Sequence, residues 1–266
     1  MLATTFSIVL MFTLAAADPQ AQAPPQPTTQ PPPAMAAPSA DDAAARQRAA
    51  EQKLLQDWPN LARYRDDNAK LPPPGKDEKR VVFIGDSITD GWGRRTNDFF
   101  PGRPYVNRGI SGQTTPQMLV RFRADVVALD PAVVVILAGI NDIAENTGPT
   151  TMGAIEDNLA SMCDIATANG IRVVLSSVTP AIDFPWRRGM DPAPKVRTLN
   201  AWITQYAASH GYTYLDYYPA LADADGGMKA GLANDGVHPT PAGYAIMAPL
   251  AEQAIAAALK TPPRGR

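Results

Sequence analysis

Three residues in this sequence have the chemical types needed to activate an oxygen nucleophile. Ser87 lies in the short run Gly85-Asp86-Ser87 after an apolar stretch, and His238 follows Asp235 by three residues near the other end of the chain. A serine hydroxyl is a weak nucleophile unless a base lies within hydrogen-bond reach. An imidazole can accept that proton near neutral pH, and a carboxylate can orient the ring. Taken alone, a Gly-Asp-Ser run is more often only a helix N-cap.

The loop around His238 favours a paired base. Gly236 lies between Asp235 and His238, so a tight loop can fold the carboxylate onto the imidazole. The chain's other histidine, His210, precedes Gly211 at the end of a predicted helix. There it can interact favourably with the helix C-terminus. We therefore take Asp235 and His238 as the candidate orienting acid and proton acceptor for Ser87.

Two further segments contain hydrogen-bond donors suited to a developing oxyanion. Residues 107–114 include Gly109 and Gly112, and glycines let backbone N–H groups approach a substrate oxygen closely. Residues 138–142 include Asn141, whose side-chain amide is a donor of the same kind. Taken singly, each segment is more simply a turn after a strand. No segment has the His and Cys spacing of a metal site, so we expect neither a metal nor a cofactor.

Strand and helix patterns alternate through the same part of the chain. Continuous apolar, β-branched runs are typical of strands buried on both faces of a parallel sheet. The predicted strands are 81–84, 105–106, 132–137, 171–175 and 212–215. Helical patterns between and after them cover 116–129, 155–169, 194–209 and 241–259. We expect an α/β fold, a three-layer α/β/α sandwich with a mainly five-stranded parallel sheet.

Start signals support two of these helices. Thr115-Pro116 and Thr240-Pro241 each place an N-cap residue before a proline at the first helical position. The four chemical segments then all fall after strands or before the last helix, where such a fold gathers its ligand site. Their coincidence, and not any one of them, indicates catalysis.

These segments, in this chain order, resemble the four motifs of the GDSL, or SGNH, hydrolase superfamily. They contain Ser87, Gly112, Asn141, and the pair Asp235 and His238. The resemblance covers roughly residues 81–259 and implies the flavodoxin-like fold of SGNH hydrolases. Residues 107–115 are most similar to the branch that contains bacterial esterases and the catalytic subunits of platelet-activating-factor acetylhydrolase.

The resemblance also implies a role for each residue. It makes Ser87 the nucleophile of a metal-independent ester hydrolase, with Asp235 and His238 completing a triad. It implies an oxyanion hole formed by the backbone N–H groups of Ser87 and Gly112 and by the Asn141 amide. An acyl-enzyme would form on the serine, and water activated by the histidine would release the acid.

Two departures from the family pattern concern the shape of the acyl pocket and leave the reacting groups intact. Ile88 replaces the leucine of the GDSL motif, and Ile140 stands where a small or polar residue is common.

The α/β-hydrolases also use Ser, acid and His in this order, but the turn that carries their nucleophile has the sequence Gly-x-Ser-x-Gly. Thr89 occupies the last glycine position here. The short Asp-x-x-His spacing also favours the SGNH superfamily.

Composition divides the chain into a catalytic domain and flanking segments. We predict a signal peptide at 1–17, a Pro-rich disordered tether at 18–40 and a helical extension at 41–78. The catalytic domain is predicted at 79–260 and a short tail at 261–266. The apolar run and the small residues before Asp18 are typical of an export signal, although no Lys or Arg precedes the run. We expect a secreted or periplasmic protein.

The overall charge argues against two classes of partner. The 266-residue chain has a formal net charge of −2 and a sequence pI of about 5.7, so it has no broad basic field for nucleic acid. The apolar N-terminal run is too short to span a bilayer comfortably, and the single cysteine, Cys163, is not placed to carry a lipid after a signal. We expect no nucleic acid partner and no stable membrane anchor.

The substrate is a small-molecule or carbohydrate ester in this interpretation. Trp92, Arg94 and Trp186 could form a polar and aromatic rim suited to sugars, or they could belong to a packed surface loop. We rank short acyl esters, acetyl in particular, above the alternatives. Those alternatives are a lysophospholipase or thioesterase activity, a non-catalytic carbohydrate-binding module, and a purely structural role.

Overall fold

The central sheet consists of five short strands. They are β1 (Val81–Gly85), β2 (Tyr105–Gly109), β3 (Val133–Leu137), β4 (Arg172–Ser176) and β5 (Thr213–Leu215). All residues of β1 and β3 are buried, which requires a covering layer on both faces of the sheet. The strands are parallel and lie in the order β2-β1-β3-β4-β5. The predicted α/β sandwich with five parallel strands is confirmed.

This computed structural model describes residues 44–45, 47–49, 52, 55–94 and 99–263. The predicted signal peptide (1–17) and Pro-rich tether (18–40) lie outside these residues, as does part of the predicted extension. The described residues from Ala45 onward belong to one compact unit.

The helices connect the strands and cover the sheet. They are α1 (Arg65–Lys70), α2 (Ser87–Gly91), α3 (Thr115–Asp125), α4 (Ile140–Ile143), α5 (Met152–Ala168), α6 (Pro192–His210), α7 (Tyr218–Leu221) and α8 (Pro241–Lys260). Helices α3, α5 and α6 pack side by side, whereas α8 packs across β3, β4 and β5. His210 is the last residue of α6, as expected.

Helix α3 begins differently from its prediction. The N-cap is Thr114, and the Gln117 side chain accepts a hydrogen bond of 3.0 Å from the Thr114 backbone N–H. The expected cap, Thr115, instead donates its hydroxyl to Asp142 at 2.6 Å. Because Asp142 follows a different strand, the sequence around the two threonines cannot indicate which one caps the helix. By contrast, Thr240 caps α8 as predicted and accepts a bond from the Gly243 backbone.

Helix α8 is long and apolar by composition. Its mean hydropathy of 1.3 over 18 residues reaches the range of a membrane-crossing helix by length and composition alone. One face nevertheless packs into the core, where Tyr244, Met247 and Ile255 are buried. Tyr244 also donates its hydroxyl to the Ile88 carbonyl at 2.7 Å, which links α8 to the segment after β1.

The segment before β1 packs against the end of β2. Tyr64 is buried and donates its hydroxyl to the carbonyl of Gly109. The guanidinium groups of Arg63 and Arg108 each lie 4.7 Å from the centre of the Tyr64 ring. Tyr64 therefore joins this part of the extension to the end of β2.

Candidate active site

The sheet order creates a crevice above β1. Strand β1 lies between β2 and β3, so the connections after β1 and β3 leave the sheet on either side of a topological switch point. Ser87 begins the helix after β1, Gly112 lies in the loop after β2, and Asn141 lies in the helix after β3. In open α/β sheets, ligands bind at this position.

The structure brings Ser87, His238 and Asp235 together. His238 Nε2 lies 2.9 Å from Ser87 Oγ, and His238 Nδ1 lies 2.7 Å from Asp235 Oδ2. Both distances are within the range of strong hydrogen bonds. Ser87 and His238 are separated by 151 residues in sequence, so only the fold creates this contact.

The loop that carries the acid and the histidine is held by the Asp235 side chain. Asp235 Oδ1 accepts hydrogen bonds from the backbone N–H groups of Val237, at 3.1 Å, and His238, at 2.8 Å. Gly236 has a φ of +84°, a backbone conformation that residues other than glycine rarely adopt. This Asx-type turn leaves Asp235 Oδ2 to hold the imidazole.

The Asp235 carboxyl has a lowered pKa. Its partial burial opposes ionisation, but the hydrogen bonds from the His238 backbone, the His238 ring and the Val237 backbone together outweigh that effect. The Asp235 carboxyl is therefore ionised at the pH values at which a neutral imidazole can accept a proton. It can then stabilise the resulting imidazolium cation.

Gly112 lies on the open side of the crevice. Its φ is +79°, and a Cβ at this position would meet no atom within 4 Å, so the conformation and not crowding requires glycine. The neighbouring Ser111 donates its hydroxyl to Asp90 Oδ2 at 2.5 Å, which ties the loop after β2 to α2. The Gly112 backbone thus borders the space beside Ser87.

Asn141 is buried and its side chain is fixed from both ends. Its amide nitrogen donates to the Gln113 carbonyl at 3.0 Å, and its oxygen accepts from Asn146 Nδ2 at 2.8 Å. An amide has two N–H donors, so one remains for a substrate oxygen. Asn146 in turn accepts a bond of 3.0 Å from the Trp186 indole. The sequence reasoning did not identify Asn146, because nothing in its spacing distinguishes it from an ordinary loop residue.

Two further carboxyl groups lie buried beneath the site. Asp86 Oδ1 accepts a bond of 2.9 Å from the Ile88 backbone and caps α2, while Asp86 Oδ2 has no hydrogen-bond partner among the described residues. Burial, with a smaller effect of the nearby Asp142 carboxyl, raises the pKa of Asp86 to about 7 despite the Ile88 hydrogen bond. Burial also raises the pKa of Asp142, against the effect of its hydrogen bonds from Thr115.

A buried arginine joins the loops around the crevice. Arg121 is 0% exposed and pairs with Asp125 at 3.0 Å. It donates to the Gly85 carbonyl at 3.1 Å and, at 2.6 Å, to the side-chain oxygen of Gln113. The Gln113 carbonyl is the acceptor that holds Asn141. Arg121, which the sequence reasoning also missed, donates to the Arg108 carbonyl as well and therefore connects the ends of β1 and β2 to the candidate oxyanion donors.

Of the three rim residues suggested by the sequence, two line the crevice. The cavity beside Ser87 has a volume of about 400 Å³, and Arg94 and Trp186 form part of its wall. The Trp186 ring centre lies 5.7 Å from that of His238. Trp92, by contrast, is 5% exposed and packs in a core cluster whose other members include Phe83, Phe100 and Tyr244. It does not line this cavity.

Within the described part of the chain, no group of three or more His, Cys, Asp or Glu side chains has the arrangement of a metal site. Cys163 lies buried in α5, where burial raises the pKa of its thiol.

Comparison with known proteins adds a family to this geometry. The family model of the GDSL-like lipases/acylhydrolases matches residues 83–246. Among curated relatives, esterase TesA of Pseudomonas aeruginosa is 28% identical over 171 residues, which cover 60% of this chain and 79% of TesA. The acetylxylan esterase of Geobacillus stearothermophilus is 29% identical over 201 residues, which cover 64% of this chain and 90% of that esterase.

A solved structure is similar to this chain in fold as well as in sequence. The crystal structure of a GDSL-like lipase from Bacteroides thetaiotaomicron is similar to this chain with a TM-score of 0.73 and 48% sequence identity. The similarity covers 75% of this chain and 98% of the Bacteroides chain.

Proposed function

The chain belongs to the GDSL-like lipase/acylhydrolase family and is a carboxylic ester hydrolase, and from this premise we propose that it removes short acyl groups, acetyl in particular, from carbohydrate esters. Ser87 is the nucleophile in this proposal, His238 the general base and acid, and Asp235 the orienting carboxylate. The observation that carries the proposal is the position of one imidazole between the Ser87 hydroxyl, at 2.9 Å, and the Asp235 carboxylate, at 2.7 Å.

The first half of the reaction transfers the acyl group to the enzyme. With the proton of a neutral imidazole on Nδ1, directed at Asp235, His238 Nε2 accepts the hydroxyl proton as Ser87 Oγ attacks the ester carbonyl. The alcohol leaves when His238 returns that proton to its oxygen. The products of this step are the free alcohol and an acyl ester on Ser87.

The negative charge that develops on the carbonyl oxygen is stabilised by hydrogen-bond donors that are already in position. We assign this role to the backbone N–H groups of Ser87 and Gly112 and to the free N–H of Asn141. Donors held in this way need little reorganisation when the charge develops. Water then attacks the acyl-enzyme with His238 as the base, and the carboxylic acid is released.

Two observations support a short acyl group on a carbohydrate. Arg94 and Trp186 line the catalytic cavity, and aromatic faces and arginines suit polar alcohols such as sugars. One of the relatives is an acetylxylan esterase. The second candidate, a lysophospholipase or thioesterase type of acyl hydrolase, is consistent with the same triad and differs in the acyl chain.

A fluorophosphonate probe tests the nucleophile directly. We expect the probe to label the wild-type protein and not the Ser87→Ala variant. Ser161→Ala is a matched control, because Ser161 is a partly exposed serine on α5 that donates to a carbonyl of its own helix. Labelling that survives in Ser87→Ala, or that is absent from the wild type, would contradict the proposed triad.

Turnover of a substrate series tests the acyl group and the alcohol. We expect nitrophenyl acetate to be hydrolysed faster than nitrophenyl esters of longer acids, and acetylated oligosaccharides to be deacetylated. A preference for long acyl chains would favour the lysophospholipase or thioesterase alternative.

Export is part of the same proposal. We infer that residues 1–17 direct the protein out of the cytoplasm and are removed, as the apolar run before Asp18 indicates. Mass spectrometry of the mature protein tests this inference, since cleavage would place Asp18 at the N-terminus. A mature protein that begins at Met1 would contradict it.

A further inference from the structure

A second cavity lies beside the catalytic one and shares part of the loop that follows β2. Its volume is about 450 Å³, within the range of small-molecule sites. Both cavities are lined by Ser111, Gly112 and Asn146. A molecule whose ester lies at Ser87 can therefore continue past Gly112 into the second cavity.

One wall of this cavity is built by the segment before β1. Asp57, Trp58 and Asn60 line it, opposite Ile110 and Thr147. These three residues of the segment lie outside residues 83–246, the part of the chain matched by the family model. The family resemblance therefore says nothing about the chemistry of this wall.

The wall is held in place by hydrogen bonds to the loop after β2 and the first turn of α3. Gln113 donates to the Pro59 carbonyl at 2.7 Å, and Gln117 donates to the Trp58 carbonyl at 2.8 Å. Both glutamine side chains are nearly fully buried, so these bonds are shielded from water. The backbone of the segment is thus anchored independently of the Trp58 indole.

The side chains of the cavity combine one aromatic surface with polar groups. The Trp58 side chain is 39% exposed although it is large and apolar. Asp57 accepts backbone bonds from Leu61, at 2.7 Å, and Ala62, at 2.8 Å, and its carboxylate oxygens retain lone pairs for further donors.

This combination suits a sugar ring better than an acyl chain or a phosphate. The C–H face of a sugar can pack on an indole while its hydroxyls bond the polar groups around it. The Asn60 side-chain oxygen has no hydrogen-bond partner among the described residues, and a long acyl chain would leave it unpaired, which costs free energy. The Asp57 carboxylate would repel an anionic headgroup.

We propose that the second cavity binds a neutral sugar ring of the carbohydrate that carries the ester, with Trp58 as the stacking surface. The inference rests on the proposed esterase function and adds a residue that selects the alcohol. It makes the segment before β1 a part of the substrate site.

The test compares two substrates in two variants. For each protein, kcat/KM is measured on an acetylated xylo-oligosaccharide and on nitrophenyl acetate, and the ratio of the two values is taken. In Trp58→Ala this ratio should fall roughly 10-fold, mainly through KM on the oligosaccharide. In Leu61→Ala it should keep its wild-type value, because Leu61 is a similarly exposed residue of the same segment that does not line the cavity. Trp58→Phe should recover part of the loss.

Three outcomes would overturn the inference. The first is an unchanged ratio in a Trp58→Ala protein whose melting temperature matches that of Leu61→Ala. The second is a Trp58→Ala variant that loses turnover of nitrophenyl octanoate and not of the oligosaccharide, which would assign the cavity to an acyl chain. The third is a wild-type enzyme that hydrolyses nitrophenyl acetate but neither deacetylates the oligosaccharide nor is inhibited by the deacetylated sugar. Failure of the proposed esterase function would appear separately, as an absence of turnover on all esters and of fluorophosphonate labelling.

Discussion

The two halves of the candidate active site are held in different ways. The half that carries Ser87 and Asn141 is embedded in a buried network that joins the ends of β1, β2 and β3 through Arg121. The half that carries Asp235 and His238 is a partly exposed loop stabilised by hydrogen bonds from its backbone to Asp235 Oδ1. Changes in the first half should therefore alter stability and activity together, whereas changes in the second should alter activity alone.

The carboxyl groups of the two halves show the same contrast. Burial raises the pKa of Asp86 to about 7, whereas hydrogen bonds lower the pKa of Asp235. A raised acid pKa makes folding less favourable as pH rises toward that value. A lowered acid pKa contributes stability that is lost only as pH falls through it, and solvent screening keeps this contribution small for an exposed group.

Asp235→Asn should produce the largest effect on activity. The amide cannot hold the imidazole in the required tautomer or stabilise its cation, so kcat should fall roughly 10,000-fold. Because the asparagine oxygen can still accept the bonds from the Val237 and His238 backbones, the melting temperature should change little. Steady-state kinetics and calorimetry of the same preparation test both halves of this expectation, and a large loss of stability would remove the contrast between the two regions.

Arg121→Met should produce the largest effect on stability. It leaves Asp125, which is 2% exposed, without its charge partner, and breaking such a buried pair costs about 3–5 kcal/mol. Arg103→Met is the matched control, because Arg103 is 53% exposed and pairs with Glu252 at 2.7 Å, an interaction of about 0–1 kcal/mol. Urea unfolding measures both changes. Equal losses of unfolding free energy in the two variants would show that burial does not determine how much an ion pair contributes to stability.

Asn141→Ala should reduce transition-state stabilisation by about 2.7–4 kcal/mol, seen in kcat more than in KM. Asn146→Ala should cost less, since Asn146 positions Asn141 through one hydrogen bond and is not assigned to the oxyanion. Kinetics on nitrophenyl acetate separate the two variants. A rise in KM with unchanged kcat in Asn141→Ala would instead indicate a role in substrate binding.

Asp86→Asn should change the slope of stability against pH. In the wild type, folding stability should fall between the ordinary carboxyl pKa and about 7, because the folded protein holds a proton on Asp86 that the unfolded chain releases. Asparagine keeps the acceptor for the Ile88 backbone and removes the charge, so this part of the slope should disappear. Unfolding free energies at several values between pH 4 and 8 measure it, and parallel curves for the two proteins would show that Asp86 does not titrate in this range.

Local patterns were sufficient for much of the architecture. Strand β1 was identified because β-branched residues buried on both faces form an unbroken apolar run, and the cap at Thr240 because Thr-Pro before a helix is a short-range signal. The prediction that Thr115 caps α3 was wrong because the Thr115 hydroxyl binds Asp142, which follows another strand. Trp92 illustrates the same limit, since only the packed aromatic cluster directs it away from the catalytic cavity.

Residue types and their order along the chain were enough to indicate the fold class and the family and to propose the chemistry of Ser87, Asn141 and His238, because these follow from periodicity and from motifs a few residues long. The 2.9 Å contact between Ser87 and His238, the buried links made by Arg121, and the second cavity beside Trp58 depend on folding. Each of these features joins residues that are distant in sequence, and no local propensity encodes how such residues pack.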